Sequence, residues 1–328
     1  MKAVVYRAFG SAETALGLED MATPVLAEGE VLVRVAFSGV NPSDCKARAG
    51  TRPGVTKPAF PEIVPHSDGA GVIEAVGAGV DPARVGERVW IWNGQWQRAF
   101  GTAAEYIALP AAQAVALPEG VSLEVGAVLG IPGLTAAHCV FGAGDVAGQT
   151  VLINGGAGTV GYLALQLAKW GGATVIATGS PRDFDRMRGA GADHVIDYRS
   201  ATLAADVLAA NGGALIDMAV EVEFGINAGM LAEVMAPNAR VAIYGSAKDM
   251  APELPFGPML FKALTLDIVL IYILPDAERA AAIGRLNGAL ADGALEVPVE
   301  TVFAADETAK AHEAVEAGGR AGAVLVRF

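Results

Sequence analysis

The sequence predicts an α/β protein in which a doubly wound parallel sheet is joined to a separate β-rich unit. Residues 1 to about 120 contain short strand patterns between turn signals. From about Ser122 onward, buried strand patterns alternate with helical ones, as in parallel sheets that are covered by helices. The chain of 328 residues is also long for a single hydrophobic core, so two domains are expected.

The composition argues against nucleic-acid and membrane partners. A net charge of −13 provides no basic footprint for a nucleic acid, and no apolar run reaches the roughly 18 residues that span a bilayer. The N-terminus enters a strand pattern directly, without the apolar core of a signal peptide. Two cysteines, Cys45 and Cys139, cannot provide a disulfide framework. We therefore expect a cytoplasmic protein.

In the β-rich part, the clearest strand patterns are residues 31–35, 71–76 and 88–92. Residues 50–65 are rich in proline and glycine and predict an ordered loop. Such a loop is a suitable wall for a binding cleft.

At the centre of the second part, residues 150–161 combine an apolar strand pattern, a glycine turn and the start of a helix pattern over 159–170. Gly156, Gly158 and Gly161 have the G-x-G-x-x-G spacing, and another strand pattern follows. This arrangement presents backbone N–H groups and the positive end of a helix to a pyrophosphate. It predicts dinucleotide binding; the alternative is a glycine turn that only packs the helix against the sheet.

Later patterns complete the predicted architecture. Further strands of the sheet are expected at residues 173–178, 193–198, 215–219, 240–244 and 264–271. The C-terminal part has helix patterns at 277–290 and 307–317 and strand patterns near Val297 and at 323–327. We expect this tail to return to the first unit. The predicted domains are residues 1–121 with 272–328, and residues 122–271.

Several short motifs occur along the chain in a characteristic order. They are GVNPSD at residues 39–44, DGAG at 68–71, GERV at 86–89, GTAAEY at 101–106, GLTAA at 133–137 and GADHVIDY at 191–198. In these motifs the chain resembles the medium-chain dehydrogenase/reductase superfamily over nearly its whole length. It looks like the zinc-free quinone oxidoreductase branch, which includes the zeta-crystallin-like enzymes. The resemblance implies a GroES-like β-rich catalytic domain and a Rossmann cofactor domain.

The resemblance also implies a homodimer. Such enzymes commonly pair the last strand of the cofactor sheet across a two-fold axis. Residues 265–273 are apolar enough to form that edge, which would favour aggregation if it were left bare.

The end of the second strand of the sheet predicts NADPH rather than NADH. An NAD-specific fold usually has a carboxylate there, but this strand ends at Gly179 and Ser180. Gly179 leaves space for a 2′-phosphate, Ser180 offers a hydroxyl donor and Arg182 adds a forked positive charge. In resembling reductases a tyrosine that matches Tyr198 lies beside this phosphate. The alternative for Arg182 is a solvated surface charge.

The residues at the zinc positions of the superfamily predict a site without metal. Zinc-dependent relatives need thiolate or imidazole ligands and a cysteine-rich lobe. Asn41 stands where those enzymes have their first cysteine, Ser67 stands at the ligand histidine, and the lobe is absent. Cys45 and His66 lie nearby, but two ligands without a third are more often packing residues.

Without zinc, the expected acceptor is already electrophilic, such as a quinone or a conjugated enone. The resemblance places the turn of Asn41 and Asp44 beside the nicotinamide. Asn41 would donate a hydrogen bond to a substrate oxygen, whereas Asp44 more often fixes such a turn through backbone hydrogen bonds. Arg52 stands where related reductases often have a tyrosine, which indicates either an anionic or strongly polar substrate or a surface arginine.

Tyr244 and Lys248 match the Tyr-x-x-x-Lys pair of short-chain dehydrogenases, but they follow a strand pattern, so the required helical geometry is not expected. Tyr244 is kept as a residue of the cleft. The expected catalytic residues are Asn41, Asp44 and Tyr244. The expected cofactor contacts are Ile131, Thr135, Gly156, Ala157, Gly158, Thr159, Val160, Gly161, Gly179, Ser180, Arg182, Tyr198, Tyr244, Gly245 and Ile271.

The leading functional hypothesis is an NADPH-dependent quinone oxidoreductase. One alternative is an NADPH-dependent reductase of activated C=C bonds in enals, enones or enoyl thioesters, because fold does not fix substrate. A second alternative, from another class, is a protein that binds NADPH without catalysis. The expected partner is a small-molecule quinone or conjugated carbonyl compound.

Overall fold

The structure, a computed structural model, describes residues 1–51 and 54–328. The chain forms two compact units. The first contains Met1–Ile131 and Val297–Phe328, and the second contains Pro132–Glu296. Within the described residues, no helix combines the length and the apolar character that are needed to cross a bilayer.

The first part of the chain is β-rich. Its strands are β1 (Lys2–Val5), β2 (Gly17–Asp20), β3 (Glu30–Val40), β4 (Asp68–Val76), β5 (Arg88–Ile91), β6 (Tyr106–Pro110) and β7 (Ala114–Ala116). Its helices are α1 (Ala12–Ala15), α2 (Pro42–Ala49) and α3 (Leu123–Gly126). The three strands predicted here from the sequence correspond to β3, β4 and β5.

The second unit alternates strands and helices. The strands are β8 (Thr150–Ile153), β9 (Thr174–Gly179), β10 (His194–Asp197), β11 (Ile216–Glu221), β12 (Met235–Ile243) and β13 (Thr265–Ile268). The helices are α4 (Leu134–Phe141), α5 (Thr159–Trp170), α6 (Phe184–Gly189), α7 (Leu203–Ala210), α8 (Phe224–Val234), α9 (Phe256–Phe261) and α10 (Asp276–Ala291).

The sheet of the second unit has the order β10-β9-β8-β11-β12-β13, and every pair of neighbours is parallel. This order confirms the predicted doubly wound, six-stranded sheet. The central strand β8 is a continuous apolar run, as is typical of strands that are covered on both faces, and Val151, Leu152 and Ile153 are all fully buried. From β8 the chain adds β9 and β10 on one side and then crosses over to add β11, β12 and β13 on the other side. This reversal of strand order places the turn before α5 at the switch point where such folds bind ligands.

The chain returns to the first unit through β14 (Val299–Ala304), α11 (Thr308–Ala317) and β15 (Ala323–Arg327). The main sheet of this unit has the order β14-β15-β3-β4-β5-β7. Strand β6 pairs with residues 30–34 of β3, which β15 does not cover. β14 and β15 pair in parallel, whereas β15, β4 and β6 all pair antiparallel with β3. The long strand β3 is thus the common partner that holds the unit together.

The compact units do not end where the sequence predicts the domains to end. The first junction follows Ile131 rather than residue 121, and the second follows Glu296 rather than residue 271. The second difference has a clear physical cause. The Gln166 side chain donates to the Glu296 carbonyl over 2.9 Å and accepts from the Glu296 N–H over 2.8 Å, so α5 retains the segment after α10. The predicted last strand is also shorter, because residues 271–273 form a 3₁₀ turn after β13.

Candidate active site

The glycine turn between β8 and α5 brings backbone atoms closer together than larger residues permit. Gly155 has φ of +71°, in the left-handed region that favours glycine. The Gly156 N–H donates to the Thr178 carbonyl over 2.9 Å, and the Gly158 N–H donates to the Gly155 carbonyl over 3.0 Å. A Cβ atom on Gly161 would overlap the Gly155 carbonyl oxygen. The start of α5 therefore lies directly against the turn.

The N-terminus of α5 is suited to an anion. This helix has 12 residues, and its N-cap residue Gly158 provides no side-chain hydrogen bond to the first turn. Gly158 is exposed, Thr159 and Val160 are half-buried, and Gly161 is buried. Backbone N–H groups and the helix dipole both favour negative charge at such an end. The predicted contacts from Gly156 to Gly161 consequently share one short turn, and their contacts with a pyrophosphate stay predictions.

A buried polar network ties together three strand ends behind the glycine turn. Asn154 Nδ2 donates to Glu221 Oε2 over 2.5 Å, and Thr178 Oγ1 donates to Asn154 Oδ1 over 2.9 Å. Glu221 Oε1 accepts from Asn227 Nδ2 over 3.0 Å and from the Glu223 N–H over 2.5 Å. Burial raises the pKa of Glu221 above its ordinary value, against the effect of these donors. The network links the ends of β8, β9 and β11.

This network is not predicted by the sequence. The available signal was a glutamate that closes an otherwise apolar strand, since Glu221 is fully buried at the end of β11. A buried carboxyl group needs hydrogen-bond donors, but its donors are distant in the sequence and cannot be found from spacing.

A cavity of about 420 Å³ lies beside the network at the carboxyl edge of the sheet. Open α/β sheets bind ligands at this edge. The lining combines apolar and aromatic surface with two cationic side chains and the carboxyl group of Glu223. Besides the network and the glycine turn, the lining residues are Tyr198, Arg199, Leu203, Val222, Ile226 and Lys248.

The end of β9 has no carboxylate, as the sequence shows. Gly179 is the last residue of β9 and is buried, and Ser180 is half-buried at the start of the turn Pro181–Asp183. Arg182 lies on this turn with its side chain 68% exposed. Its Nε atom is 3.5 Å from Asp183 Oδ2, a long contact that leaves the guanidinium available to solvent.

Tyr198 and Arg199 lie together at the mouth of the cavity. Tyr198 is half-exposed and lines the cavity, and its position beside a 2′-phosphate stays a prediction. Arg199, which was not among the predicted site residues, donates to Asp197 through Nε at 3.0 Å and Nη2 at 3.1 Å. This ion pair fixes one cationic side chain at the edge of the cavity. Lys248, on the loop after β12, also lines the cavity.

Tyr244 and Gly245 follow β12 without entering a helix. The Tyr244 N–H donates to the Glu221 carbonyl over 3.0 Å, and the Gly245 carbonyl accepts from the Phe224 N–H over 3.1 Å. Residues 244–248 form no helical turn, so the match to the short-chain dehydrogenase pair is fortuitous. Burial raises the pKa of Tyr244 above its ordinary value, so its hydroxyl stays protonated at neutral pH.

The remaining predicted cofactor contacts lie on different elements. Ile131 is half-buried in the turn Leu129–Gly133, at the end of the first unit's N-terminal segment. Thr135 is buried in α4, and Ile271 is buried in the 3₁₀ turn Ile271–Ile273. Their contacts with a cofactor remain predictions.

In the first unit, Asn41 and Asp44 form the turn that begins α2. Asp44 Oδ2 accepts from the Asn41 N–H over 2.8 Å, which is the backbone role expected for Asp44. Asn41 Nδ2 donates to Asp68 Oδ2 over 2.8 Å. Asp68 is fully buried, and burial raises its pKa well above the ordinary value. Arg52, the residue at the tyrosine position of related reductases, lies outside the described residues.

A chain of buried side chains continues behind Asp68. Thr102 Oγ1 donates to the Asp68 carbonyl over 2.5 Å and lies 2.8 Å from Ser38 Oγ. Ser38 Oγ lies 2.8 Å from His66 Nδ1, and His66 Nε2 lies 2.9 Å from His312 Nε2. His312 reaches this region because β15 and α11 return to pack beside β3.

His66 adopts a conformation that costs free energy. Its φ is +75°, in the left-handed region, where a residue other than glycine loses roughly 1–2 kcal/mol. The Thr102 N–H donates to the His66 carbonyl over 3.0 Å and helps to hold this backbone. Cys45 packs nearby, with Sγ 3.7 Å from the His312 carbonyl. Burial raises the pKa of Cys45 to about 12, so its thiol is protonated and unreactive.

Among the residues that the structure describes, no three or more His, Cys, Asp and Glu side chains are grouped to hold a metal ion. The zinc positions of the superfamily instead present the amide of Asn41 and the hydroxyl of Ser67, which are poor ligands for zinc.

Comparisons with known proteins agree with this architecture. The family model of the alcohol dehydrogenase GroES-like domain matches residues 27–119, and that of the zinc-binding dehydrogenases matches residues 159–288. The quinone oxidoreductase of Sus scrofa is 29% identical over 315 residues, which are 95% of this chain and 93% of the relative.

Two solved structures each match over 100% of both chains. A mycobacterial protein in complex with NADPH has a TM-score of 0.85 at 26% identity, and an NAD-dependent alcohol dehydrogenase has a TM-score of 0.86 at 28% identity. The GroES-like and Rossmann folds are thus both confirmed. The chain belongs to the medium-chain dehydrogenase/reductase superfamily, in its quinone oxidoreductase branch, and is an oxidoreductase that binds a nicotinamide cofactor.

Proposed function

We propose that this protein is an NADPH-dependent quinone oxidoreductase that works without a metal ion. The observation that carries the proposal is the end of β9, where Gly179 and Ser180 stand in place of a carboxylate beside a cavity with two cations. A carboxylate at that position binds the ribose hydroxyls of NAD and repels a 2′-phosphate.

Arg199 and Lys248 favour the phosphorylated cofactor. Both line the cavity, and a guanidinium and an ammonium group each attract a phosphate. Glu223 also lines the cavity, but its Oε1 accepts from the Lys248 N–H over 2.7 Å and is therefore engaged by the protein. Arg182, exposed on the neighbouring turn, adds positive charge at the same end of β9.

The chain's own groups in the first unit suit an acceptor that is already electrophilic. A bound nicotinamide supplies hydride from its C4 atom. The Asn41 amide nitrogen has two N–H bonds, of which one is directed at Asp68. In our proposal the second N–H donates to the acceptor oxygen on which negative charge develops. A quinone spreads this charge over its ring, so one neutral donor suffices, and the proton of the hydroquinone comes from water.

We also propose that the protein is a homodimer through β13. This strand is the outer strand of the parallel sheet, so its free edge can pair with a second copy. Large apolar side chains are exposed along and beside it, among them Phe261 at 90%, Ile268 at 80% and Ile273 at 63%. A patch of this kind on a soluble protein indicates an interface.

The first prediction concerns the cofactor. With a quinone acceptor, we expect the KM for NADPH to be at least about tenfold below that for NADH. One charge-assisted hydrogen bond to the 2′-phosphate is enough for a difference of this size. Lys248→Ala and Arg199→Ala should raise the KM for NADPH but leave that for NADH unchanged. Lys310→Ala, at an exposed lysine of the first unit, is the control. Equal Michaelis constants for both cofactors would reject the preference.

The second prediction concerns Asn41. Asn41→Leu removes the donor to the acceptor, so we expect kcat/KM for a quinone to fall about tenfold or more while the Kd of NADPH stays unchanged. Turnover is measured with a quinone, an enone and an enoyl thioester. Faster turnover of the enone or the enoyl thioester would identify the protein as a reductase of activated C=C bonds instead. Binding of NADPH without turnover of any acceptor would indicate a non-catalytic protein.

The third prediction concerns assembly. Sedimentation should give twice the mass of the 33.4 kDa chain. Ile268→Lys should shift the protein toward monomer, because it places a charge in the proposed interface. Val302→Lys provides the matched control, since Val302 is an exposed apolar residue on β14, the outer strand of the other main sheet. A wild-type monomer, or an Ile268→Lys dimer as stable as the wild type, contradicts this interface.

A further inference from the structure

The buried chain from His312 to Asp68 has only one possible direction of hydrogen bonding. Its last acceptor is the Asp68 backbone carbonyl, which has no hydrogen to donate, so the Thr102 hydroxyl must donate to it across 2.5 Å. The Ser38 hydroxyl must then donate to Thr102, because the single Thr102 hydrogen is already used. Consequently His66 must be protonated on Nδ1 to donate to Ser38.

The same logic fixes the second histidine. A neutral His66 with its proton on Nδ1 offers a bare Nε2, so His312 must donate from its own Nε2 across 2.9 Å. Burial, together with the Arg48 guanidinium, lowers the pKa of His312 to about 3. Burial also lowers the pKa of His66 well below its ordinary value, so both rings are neutral near pH 7.

The remaining ring nitrogen is consistent with this assignment. His312 Nδ1 is buried and has no hydrogen-bond partner among the described residues. At this buried position an unprotonated ring nitrogen costs less free energy than an N–H group would, because a buried N–H donor without an acceptor loses its hydrogen bond to water. The two histidines therefore occupy complementary tautomers, His66 as the Nδ1–H form and His312 as the Nε2–H form.

The backbone of His66 indicates that its side chain is used. Glycine would adopt φ of +75° without strain, yet this position holds a fully buried histidine. Strained residues of this kind persist where the surroundings hold them, often beside functional sites. Here the imidazole provides a polar link between β3 and the returning helix α11, since Ser38 lies on β3 and His312 on α11.

We propose that His312 and His66 are positioning residues for Asn41. The donor on His312 selects the tautomer of His66, which sets the Ser38 and Thr102 hydroxyls and anchors Asp68. The Asp68 carboxyl then holds the Asn41 amide at 2.8 Å, with its second N–H directed elsewhere. This inference rests on the proposed function, in which that second N–H contacts the acceptor. It identifies two residues far apart in sequence as determinants of the orientation of one donor.

Two substitutions of His312 provide the test. Gln can place an amide N–H near the position of the imidazole Nε2, whereas Leu has a similar volume but no donor. We expect His312→Leu to lower kcat/KM for a quinone about tenfold, which is the effect of losing one aligned hydrogen bond. We expect kcat/KM of His312→Gln to stay within about threefold of wild type. The Kd of NADPH should not change in either variant. Equal losses in both variants, or none in either, would overturn the proposal.

A double-mutant cycle separates positioning from general destabilisation. In the Asn41→Leu background, His312→Leu should cause no further loss of kcat/KM, because the oriented donor is already absent. An additional loss of full size would contradict action through Asn41.

Nitrogen-15 NMR tests the same proposal without turnover. We expect neutral Nδ1–H His66 and Nε2–H His312, and a shift of the Asn41 side-chain NH₂ signal in His312→Leu that is absent in His312→Gln. Reversed tautomers, or an unmoved Asn41 signal, would overturn the proposal. Wild-type protein that turns over no acceptor would reject only the proposed function, since these signals are read independently.

Discussion

The contact between Gly161 and the carbonyl of Gly155 is the constraint on which the cofactor unit depends. Because no side chain separates them, α5 begins directly over the end of β8. The helix N-terminus then faces the carboxyl edge of the sheet, where the cavity lies. A residue with a Cβ atom would displace the helix, and the N–H groups of the turn would no longer converge on one anion.

Each unit contains a buried carboxyl group that orients an asparagine. In the second unit Glu221 accepts from Asn154, and in the first unit Asp68 accepts from Asn41. Burial raises the pKa of both carboxyl groups, and the hydrogen bonds that each accepts oppose this shift. Rigid polar networks of this kind hold backbone and amide groups in place before a ligand binds, which lowers the cost of binding.

The sequence predicted the regular elements well wherever the signal is local. The helix at 159–170 and the strand at 323–327 have the predicted bounds, because a helical period or a short apolar run is a property of neighbouring residues. The predicted strand at 264–271 is too long because apolar residues continue into the 3₁₀ turn Ile271–Ile273. Apolar character alone does not distinguish a strand from a buried turn.

The parts of the site that the sequence did not predict depend on distant contacts. Gln166 bonds to Glu296, 130 residues away, and His66 contacts His312, 246 residues away. Sequence spacing cannot reveal partners at such distances. The charges of the cavity were also incompletely predicted: Arg199 and Lys248 line it, whereas the predicted cation, Arg182, lies on an exposed turn. Which cation approaches a ligand depends on loop geometry, and residue type alone does not determine it.

The most direct test of this account compares NADPH binding, measured by fluorescence titration, in two Gly-to-Ala variants. Gly229 lies within α8 and has open space around its Cβ position, so Gly229→Ala should bind NADPH like wild type. Gly161→Ala should remain folded by thermal melting but bind NADPH about tenfold to a hundredfold more weakly, because the overlap with Gly155 forces the turn apart. Wild-type affinity in Gly161→Ala would contradict the central claim that this glycine contact forms the cofactor site.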